Sequence, residues 1–445
     1  MLPVEAFRSP SMCKVEDVQR QRVLIVGAGP TGLVTALGLA HAGAEVTVVD
    51  REPEVAASPR ATVYLPSTLK VLDELGLLAD ARHLGLIGYE LDVHFKLTGH
   101  VGRNDYRLIS DLTPYAYRLH FGQHDLAHMV LRHLLALPGA QMLWNTACEA
   151  LEQQDNAVAV RLRGPGDTRT LEFDWVIGAD GAGSAVRRAI GASFEGFTWP
   201  ETFMATNVHY DFEDCGYAYS NLIADAHNWA VIVRLDKQEH FWRVSYQESS
   251  DLSEEQRLER IPERFRHFMP RATPWDLDRA NSYRVHQRSA STYRAGRVFL
   301  AGDAAHATNP IGGLGLTSGI QDASTLIECL SAVIAGEATD DRLDWYGYER
   351  RRCFLEVVNP SAIEFKRRAQ ESDTTRRLED EANLRAMQAD RKAMREALMS
   401  NFALCARPYR PDWRETLLLE DRQRGSAATL ILGAHSTARI TRDIE

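Results

Sequence analysis

The first 80 residues alternate between patterns typical of buried strands and of amphipathic helices. Residues 22–26 form a short apolar run that ends in glycine, and apolar positions of helical period follow as far as Gly43. A β-branched run at 46–49 comes next and ends at Asp50. This order predicts a strand–turn–helix–strand unit of the nucleotide-binding type. Further amphipathic helices are predicted at 66–78 and 124–137.

The period changes in the middle of the chain. Between 202 and 248, aromatic and β-branched residues alternate in part with polar ones, which predicts an antiparallel sheet inserted in the nucleotide-binding framework. The predicted strands are 203–212, 217–223, 229–235 and 241–247. A strand at 297–300 leads the chain back to the framework, and the region beyond 320 is mostly helical. The three-four spacing of Leu384, Met387, Met394 and Leu398 predicts a packing helix there.

Length and composition narrow the class of protein. A chain of 445 residues exceeds one usual core, so two closely packed domains are expected. Acidic residues outnumber basic ones by 61 to 51, and the net charge of -10 argues against nucleic acid or an anionic membrane surface as a partner. Six scattered cysteines show no zinc spacing, so we expect free thiols and no metal site. We see no secretory leader pattern and no run of 18 apolar residues, which favours a cytoplasmic protein.

A glycine cluster lies between the first predicted strand and the first predicted helix. Glycines there allow a tight turn and a close approach of the backbone to a pyrophosphate, which the positive end of the helix attracts. Asp50 follows 18 residues after Gly32 and can accept hydrogen bonds from a ribose diol. The predicted dinucleotide-binding residues of this part are Gly27, Gly29, Pro30, Thr31, Gly32, Asp50 and Arg51.

Two later strand-to-helix turns extend this interpretation to a flavin dinucleotide. Asp180 and Gly181 follow an apolar strand at 175–178, and Asp303 follows the strand at 297–300. Asp303 would bind the ribityl hydroxyls, and the glycine-rich segment 310–315 would pass beside the flavin ring, where a Cβ has no room. A helix beginning near Thr317 would direct its positive end at the flavin. The predicted cofactor-binding residues of this part are Asp180, Gly181, Asp303, Pro310, Gly313, Leu314, Gly315 and Leu316.

From about 22 to 365, these motifs and their order resemble those of the single-component FAD-dependent aromatic hydroxylases, the 4-hydroxybenzoate 3-hydroxylase-like family. The resemblance of segment 58–61 implies that Arg60 contacts the pyrophosphate and the nicotinamide cofactor. The resemblance of segment 121–126 implies that Gln123 binds the flavin nucleotide. The stretch 180–187 resembles the family fingerprint for FAD and NAD(P)H. Two positions depart from the family, because Leu314 replaces a common Gln and Thr317 a common Asn.

Three segments of the predicted sheet are similar to the branch of the family that hydroxylates phenols and para-nitrophenol: 205–208, 228–231 and 283–288. The resemblance implies that NAD(P)H reduces FAD and that a flavin C4a-hydroperoxide, formed with O2, transfers one oxygen to a phenolic or hydroxypyridine-type ring. Displacement of a para substituent is left open, as is a homodimer. A His or Tyr is expected to hydrogen-bond the phenolate. The candidate catalytic residues are Arg60, Pro310, His209, Tyr210, Tyr219 and His286.

Pattern and resemblance together predict an α/β fold with a Rossmann-like FAD-binding domain, an inserted antiparallel β-sheet substrate domain and C-terminal helices. The FAD-binding domain is expected at 20–90, 115–195 and 285–345, and the substrate domain at 91–114 and 196–284. A helical region is expected at 346–405 and a tail at 406–445.

Other functions remain open at this point. A halogenase on the same framework usually carries a Trp-x-Trp-x-x-Ile-Pro motif, which is absent here. A lipid reductase would be expected to show an apolar membrane-facing patch, which we do not see. A non-catalytic FAD-binding scaffold would not need the glycine loop 312–315, and a simple NAD dehydrogenase would not explain the segment around Asp303.

Overall fold

The structure, a computed structural model, describes residues 20–56, 61–235, 237–238 and 240–416. Arg60 and residues 417–445 of the predicted tail therefore lie outside the described residues. The described strands are β1 Arg22–Val26, β2 Glu45–Val49, β3 Val63–Tyr64, β4 Leu86–Gly88, β5 Glu90–Phe95, β6 His100–Asp105, β7 Arg118–His120, β8 Ala140–Leu143, β9 Ala147–Gln153, β10 Val158–Arg163, β11 Thr168–Phe173, β12 Trp175–Gly178, β13 Phe194–His209, β14 Ser220–Ala224, β15 Ala230–Arg234, β16 Phe241–Glu248, β17 Asp276–Ala290, β18 Arg294–Ala295, β19 Val298–Leu300 and β20 His306–Ala307.

The described α-helices are α1 Pro30–His41, α2 Pro66–Glu74, α3 Leu78–Leu84, α4 Gln123–Leu135, α5 Ala185–Ala189, α6 Glu254–Glu259, α7 Ile261–Phe268, α8 Leu314–Ile334, α9 Asp341–Cys353, α10 Asn359–Gln370, α11 Thr374–Ala389 and α12 Arg391–Met399. Short 3-10 turns occur at Tyr106–Ile109, Glu213–Cys215, Gly302–Ala304 and Ser400–Leu404, and a π turn at Phe354–Val358 joins α9 to α10. None of the helices in the described ranges combines the length and the apolar character that crossing a membrane requires.

The predicted nucleotide-binding framework is a six-stranded sheet in the order β18-β19-β12-β1-β2-β8. Its strands run parallel apart from the edge strand β18. Strands of this kind are apolar along their whole length because both faces of the sheet are covered. Here α1 packs against both α4 and α8. The predicted fold class is confirmed by this framework and by the inserted sheet described next.

The inserted sheet has eight strands in the order β20-β17-β13-β16-β15-β14-β5-β6. Its strands are antiparallel except for β14 and β5, which run parallel. Alternate side chains of a strand point to opposite faces. One face, here called the outer face, packs against α7 through Met204, Val208, Ile232, Trp242 and Val244. The inner face carries Phe203, Leu222 and Val231 and packs against Ile311 of the flavin framework.

Two smaller sheets were not separated by the sequence pattern. One has the order β11-β10-β9, and the other has the order β3-β7-β4. The second matters for the site because β7 pairs with β3 and β4, and its His120 contacts Ser220 of the large sheet.

Two helix predictions need correction. The predicted helix 66–78 is two helices, α2 and α3, because Gly76 adopts a φ of 73° in the turn between them. The predicted helix through Leu384 and Leu398 is interrupted at Asp390, where α11 ends. The Asp390 carboxylate accepts a hydrogen bond of 2.9 Å from the backbone N–H of Lys392 and so begins α12.

The predicted domain boundaries at 196 and 284 fall inside the strands β13 and β17. These two strands pair with each other from Phe194 and Ala290 to His209 and Asp276, with a bulge between Thr198 and Thr202. The boundaries stay predictions, but the framework and the inserted sheet are joined by backbone pairing on either side of this bulge.

Candidate flavin and substrate site

The first and second glycine motifs meet at the carboxyl ends of β1 and β12. Gly27 has a φ of 111°, and a Cβ there would lie 2.3 Å from the carbonyl oxygen of Ala179, the residue before Asp180. A Cβ on Gly32 would lie 2.1 Å from the carbonyl oxygen of Gly27. Both glycines are therefore required for the backbone segments to approach this closely.

Gly29 differs from these two glycines. It is the N-cap of α1, its φ is -73°, and a Cβ there would meet no atom of the described residues within 4 Å. Pro30 follows at the first helical position. The unpaired N–H groups at the start of α1 thus face open space beside a small residue, which is the environment that a pyrophosphate requires.

The third motif joins the first through Thr31. A Cβ on Gly302, whose φ is 60°, would lie 2.7 Å from the Thr31 hydroxyl oxygen, and a Cβ on Gly319 of α8 would lie 2.5 Å from the same atom. The second and third motifs are joined by Arg187, whose Nη1 donates a hydrogen bond of 2.8 Å to the Ala304 carbonyl. All three segments therefore converge on one edge of the parallel sheet.

The acidic residues of the motifs differ in what they contact. The Asp50 carboxylate accepts hydrogen bonds from the N–H groups of Ala28 (2.7 Å) and Glu52 (2.9 Å), which holds it at the glycine turn. The neighbouring Arg51 is exposed and lies 3.4 Å from the Glu52 carboxylate. Asp180 accepts hydrogen bonds from the Ser184 hydroxyl and from the Ala185 N–H, so its carboxylate caps α5 beside the site. Gly181 follows with a φ of 78°.

Asp303 is exposed in the 3-10 turn after β19, and a fully buried group of charges holds that turn from behind. Asp322 of α8 accepts hydrogen bonds from the Gly302 N–H (2.9 Å), from His306 Nε2 (2.7 Å) and from Arg350 Nε (2.7 Å). Burial alone would raise the pKa of Asp322, but the charges and hydrogen bonds of His306 and Arg350 lower it. The ionised carboxylate thus fixes the backbone from which the Asp303 side chain projects.

The glycine-rich loop lies beside the start of α8. Pro310 is exposed, while Gly313 has a φ of 72° and forms the N-cap of α8, which begins at Leu314 rather than near Thr317. Leu314 is buried against Leu65 and Phe354. Gly315 and Leu316, in the first turn of α8, are half-buried. Gln123, the predicted flavin-binding glutamine, is half-buried at the start of α4, and its N–H donates to the Ala61 carbonyl (3.1 Å).

A buried amide network ties this loop to the inserted sheet and to α10. Gln287 of β17 accepts hydrogen bonds from both the N–H and the Nδ2 of Asn309, each 3.2 Å long. Gln287 Nε2 donates to Thr308 Oγ1 (2.9 Å) and to Asn359 Oδ1 (2.7 Å). Asn309 Oδ1 in turn accepts a hydrogen bond from the Ile311 N–H (3.1 Å). Hydrogen bonds to β17 and, through Gln287, to α10 therefore fix the position of the loop.

The inner face of the large sheet meets this loop. Phe203, Trp229 and Val285 pack against Ile311, and Leu222 and Val231 border this cluster. Leu222 and Val231 are half-buried, whereas their outer-face neighbours are almost fully buried. A sheet that is well packed on its outer face and incompletely packed on its inner face leaves room for a ligand next to the glycine loop.

The same face carries polar groups. Arg243 is buried opposite Asn207, and its Nε and Nη2 donate to Asn207 Oδ1 at 3.1 and 2.9 Å. Burial lowers the pKa of Arg243 to about 10. Further along the face, His120 Nδ1 lies 3.1 Å from the Arg234 carbonyl and His120 Nε2 lies 3.3 Å from Ser220 Oγ. Because a carbonyl can only accept, Nδ1 carries the proton and Nε2 accepts from the Ser220 hydroxyl.

The four candidate phenolate partners lie in different places. Tyr210 is buried in the outer-face core, where its hydroxyl oxygen is 2.9 Å from the Arg271 carbonyl. His209 stacks on Phe241 where β13 ends. Tyr219 lies beside His120, with ring centroids 6.2 Å apart. His286 bonds Thr198 through Nδ1 (2.9 Å), and its pKa, lowered by burial and two arginines, is raised in part by Asp303. Tyr219 also packs against the outer-face core, while His286 lies on the flavin side near Asp303, and the roles of all four residues stay predictions.

Sequence comparison adds to this geometry. Residues 20–361 match the family model described as the FAD binding domain. Para-nitrophenol 4-monooxygenase of Pseudomonas sp. strain WBC-3 is 43% identical over 380 residues, which cover 85% of this chain and 94% of that protein. The chain belongs to the family of FAD-dependent aromatic hydroxylases. The 6-hydroxy-3-succinoylpyridine 3-monooxygenase HspB of Pseudomonas putida strain S16 is 38% identical over 381 residues, 85% of this chain and 97% of that one.

A solved structure of the family supports the fold in detail. The crystal structure of p-nitrophenol 4-monooxygenase PnpA from Pseudomonas putida DLL-E4 superposes with a TM-score of 0.84 at 42% sequence identity. The match covers 88% of this chain and 99% of that chain. The residues of this hydroxylase fit FAD, because Gly27, Gly32 and Gly302 hold the backbone segments in contact while Gly29 leaves space above α1.

Several residues of this hydroxylase that surround the site were not predicted from the sequence: Arg118, His120, Ser220, Arg243, Gln287 and Asn309. The alternation of Arg118 and His120 with Leu119 and Phe121 was a usable signal, since it indicates a strand with one polar buried face. The amides Gln287 and Asn309 carry no such signal, because each is an isolated polar residue in an ordinary strand or loop.

Proposed function

We propose that the protein is a monooxygenase that uses NAD(P)H and O2 to hydroxylate a phenolic or hydroxypyridine-type ring. The observation that carries this proposal is the meeting of the glycine loop 310–313 with the half-buried inner face of the sheet. The activities of the two relatives, on a nitrophenol and on a hydroxypyridine, support this range of substrates.

FAD, when bound, would accept a hydride from NAD(P)H and activate dioxygen, chemistry that no side chain supplies. The chain would contribute the rest. The start of α1 and Asp50 would hold the pyrophosphate and ribose, and Asp303 would hold the ribityl chain. The amides Gln287 and Asn309 would keep the glycine loop beside the ring. Arg60, outside the described residues, would serve reduction by NAD(P)H.

The inner face would bind and orient the aromatic ring. Leu222 and Val231 offer an apolar surface that excludes water from the ring, which favours oxygen transfer over loss of reactive oxygen to solvent. His120 would hold its one proton on Nδ1, which donates to the Arg234 carbonyl, and burial and the charge of Arg118 lower its pKa to about 3. His120 is therefore neutral near pH 7, so it fixes the Ser220 hydroxyl rather than serving as a general base.

The proposal extends to the wider setting of the reaction. We expect a small aromatic substrate with O2 as the partners, in the cytoplasm, with NAD(P)H as the co-substrate. Halogenation, lipid reduction and a purely FAD-binding role are not favoured by the relatives, which are ring monooxygenases.

The test is a panel of phenols and hydroxypyridines added to the FAD-loaded protein. Stimulated NAD(P)H consumption, with a product heavier by one oxygen or lacking its para substituent, is the expected result. A yellow protein whose NAD(P)H consumption no ring compound stimulates would favour the scaffold. Halide-dependent product formation would favour the halogenase instead.

A further inference from the structure

Within the described ranges, Arg118 is a buried cation without a counter-ion. Its residue is 6% exposed, and among the described residues neither Nε nor Nη1 has a hydrogen-bond partner. Burial lowers its pKa, and the neighbouring Tyr106 opposes that shift only in part. The guanidinium carbon lies 5.9 Å from the centre of the Tyr106 ring. Such a ring contact covers one face of the guanidinium and leaves its in-plane donors unsatisfied.

The strand β7 directs Arg118 toward the inner face of the large sheet. Arg118 and His120 are two residues apart, so their side chains lie on the same side of β7, opposite the core residue Leu119. His120 reaches Ser220 of β14 and the carbonyl of Arg234 of β15. Ser220 and Leu222 alternate on β14, which places Ser220 on the inner face beside the cluster around Ile311.

On its other side, β7 pairs with β3, which lies next to the glycine loop. Val63 of β3 pairs with His120, and the Val63 carbonyl oxygen would lie 3.9 Å from a Cβ on Gly313. β7 therefore stands between the loop proposed to face the flavin ring and the face proposed to hold the substrate. A donor on this strand reaches the ring substrate from the side of His120 and Ser220.

An unpaired buried guanidinium is costly, because it loses its hydration and gains no compensating hydrogen bonds. The neutral His120 offers no acceptor in exchange, since Nδ1 donates to a carbonyl and Nε2 accepts from Ser220. A ligand carrying an anionic oxygen would supply what Arg118 lacks. Arginine suits this role because its donors are rigid and form short charge-assisted hydrogen bonds.

We propose that Arg118 is the residue that selects aromatic substrates carrying an anionic oxygen, either a phenolate or a ring carboxylate. This inference rests on the proposed function of the site, because the ligand is the ring substrate of that reaction. Arg118 acts by binding: it orients the anion and stabilises the ionised form, and no bond to it is made or broken.

The experiment measures ligand affinity of the FAD-loaded protein without turnover, from the change in flavin absorbance on titration. The probes are 4-nitrophenolate, 4-nitrobenzoate and the neutral 4-nitroaniline, at a pH where the first two are ionised. Arg118→Met is expected to weaken the binding of one of the two anions about 10- to 100-fold and the binding of the aniline less than about threefold. Arg118→Lys is expected to recover part of the loss.

The control is Arg107→Met, because Arg107 is half-exposed and paired with Asp105 and Glu90, near Arg118 in sequence. It should leave all three affinities unchanged. Selective loss of the phenolate or of the carboxylate identifies the anion, and equal weakening of all three probes overturns the proposal in favour of a structural role. Should Arg118→Met not fold, the wild-type comparison decides, since an anion bound no more tightly than the aniline also overturns it. Failure of the proposed function would appear instead as absence of ring-stimulated NAD(P)H consumption.

Discussion

The flavin framework and the inner face of the inserted sheet are built by different means. In the framework, glycines bring backbone against backbone, as where a Cβ on Gly32 would lie 2.1 Å from the Gly27 carbonyl oxygen. On the inner face, side chains set the geometry, as where Gln287 holds Asn309 and His120 holds Ser220. The first kind of site admits almost no substitution at its contact points, while the second changes whenever one side chain changes.

This difference explains how one framework can serve several ring chemistries. The glycine-rich backbone of the framework recognises the phosphates and the flat flavin ring, whose shapes stay the same whatever the substrate. A face formed by side chains can exchange Arg118, Ser220 or Leu222 without moving the strands, because backbone pairing and the outer-face core hold the sheet. Substitutions in the two regions should therefore have different signatures, in folding and cofactor retention for one and in ligand choice for the other.

The largest effect on FAD binding is expected from Gly32→Ala. Its Cβ would overlap the Gly27 carbonyl, so the turn must open, at a cost of about 1–3 kcal/mol or more in the free energy of unfolding, with loss of bound FAD. Gly29→Ala is the matched control, because its φ of -73° suits alanine and its Cβ would touch nothing in the part of the chain that the structure describes.

We expect Gly29→Ala to leave the melting temperature of the FAD-free protein unchanged. Its affinity for FAD should fall roughly tenfold or more, which corresponds to about 1.4 kcal/mol of binding free energy. Thermal melting with and without FAD, together with FAD titration, separates the two variants. Equal FAD affinity in Gly29→Ala and wild type would show that no phosphate lies at this helix start.

The largest effect on folding stability is expected from Arg350→Met. The change removes one partner of a fully buried ion pair and leaves the Asp322 carboxylate with His306 and the Gly302 N–H. Breaking such a pair costs about 3–5 kcal/mol in the free energy of unfolding. Urea denaturation measures this, with Arg414→Met as the control, since its exposed pairs with Asp341 and Asp344 should be worth less than about 1 kcal/mol.

The same carboxylate gives a pH prediction. The pKa of Asp322 is lower in the folded protein than its usual value near 4, so its stabilising contribution is complete above that value. The contribution is lost as the pH falls from about 4 through the lower folded pKa. We expect the free energy of unfolding to fall less steeply with acidification in Asp322→Asn than in wild type, measured by urea denaturation at a series of pH values. Parallel slopes would contradict the lowered pKa.

Much of the framework could be predicted from the sequence, because its signals are local. Gly27, Gly32 and Asp50 lie within one strand–helix–strand unit, and the strands around them were found within about one residue. The inner face could be predicted only as a sheet. His120 and Ser220 are 100 residues apart, and Gln287 and Asn359 are 72 apart, so their meeting depends on tertiary packing that no periodicity encodes.

A smaller effect is expected from Gln287→Met, which keeps the approximate volume and removes the amide. Unsatisfied groups of Asn309 and Asn359 should cost about 1–3 kcal/mol in the free energy of unfolding. We also expect less hydroxylated product per NAD(P)H consumed, because the glycine loop loses its link to the sheet. Gln388→Met, which removes a hydrogen bond to the Arg103 carbonyl at the far edge of the sheet, should leave this ratio unchanged.

The smallest effect is expected from Tyr210→Phe. Its hydroxyl bonds the carbonyl and N–H of Arg271 at 2.9 and 3.0 Å in the outer-face core. Removing it should cost about 1 kcal/mol in the free energy of unfolding and leave substrate affinity unchanged. A clear loss of affinity for a phenol would restore Tyr210 as a phenolate partner.

The pairing of β13 with β17 has a mechanical consequence. Two paired strands of 16 and 15 residues run from the flavin framework to the opposite end of the inserted sheet, so they resist bending between the two regions. Separating the two regions by a hinge motion would break backbone hydrogen bonds between β13 and β17. We therefore expect substrate and product to enter and leave through movements of side chains, without a separation of the two sheets.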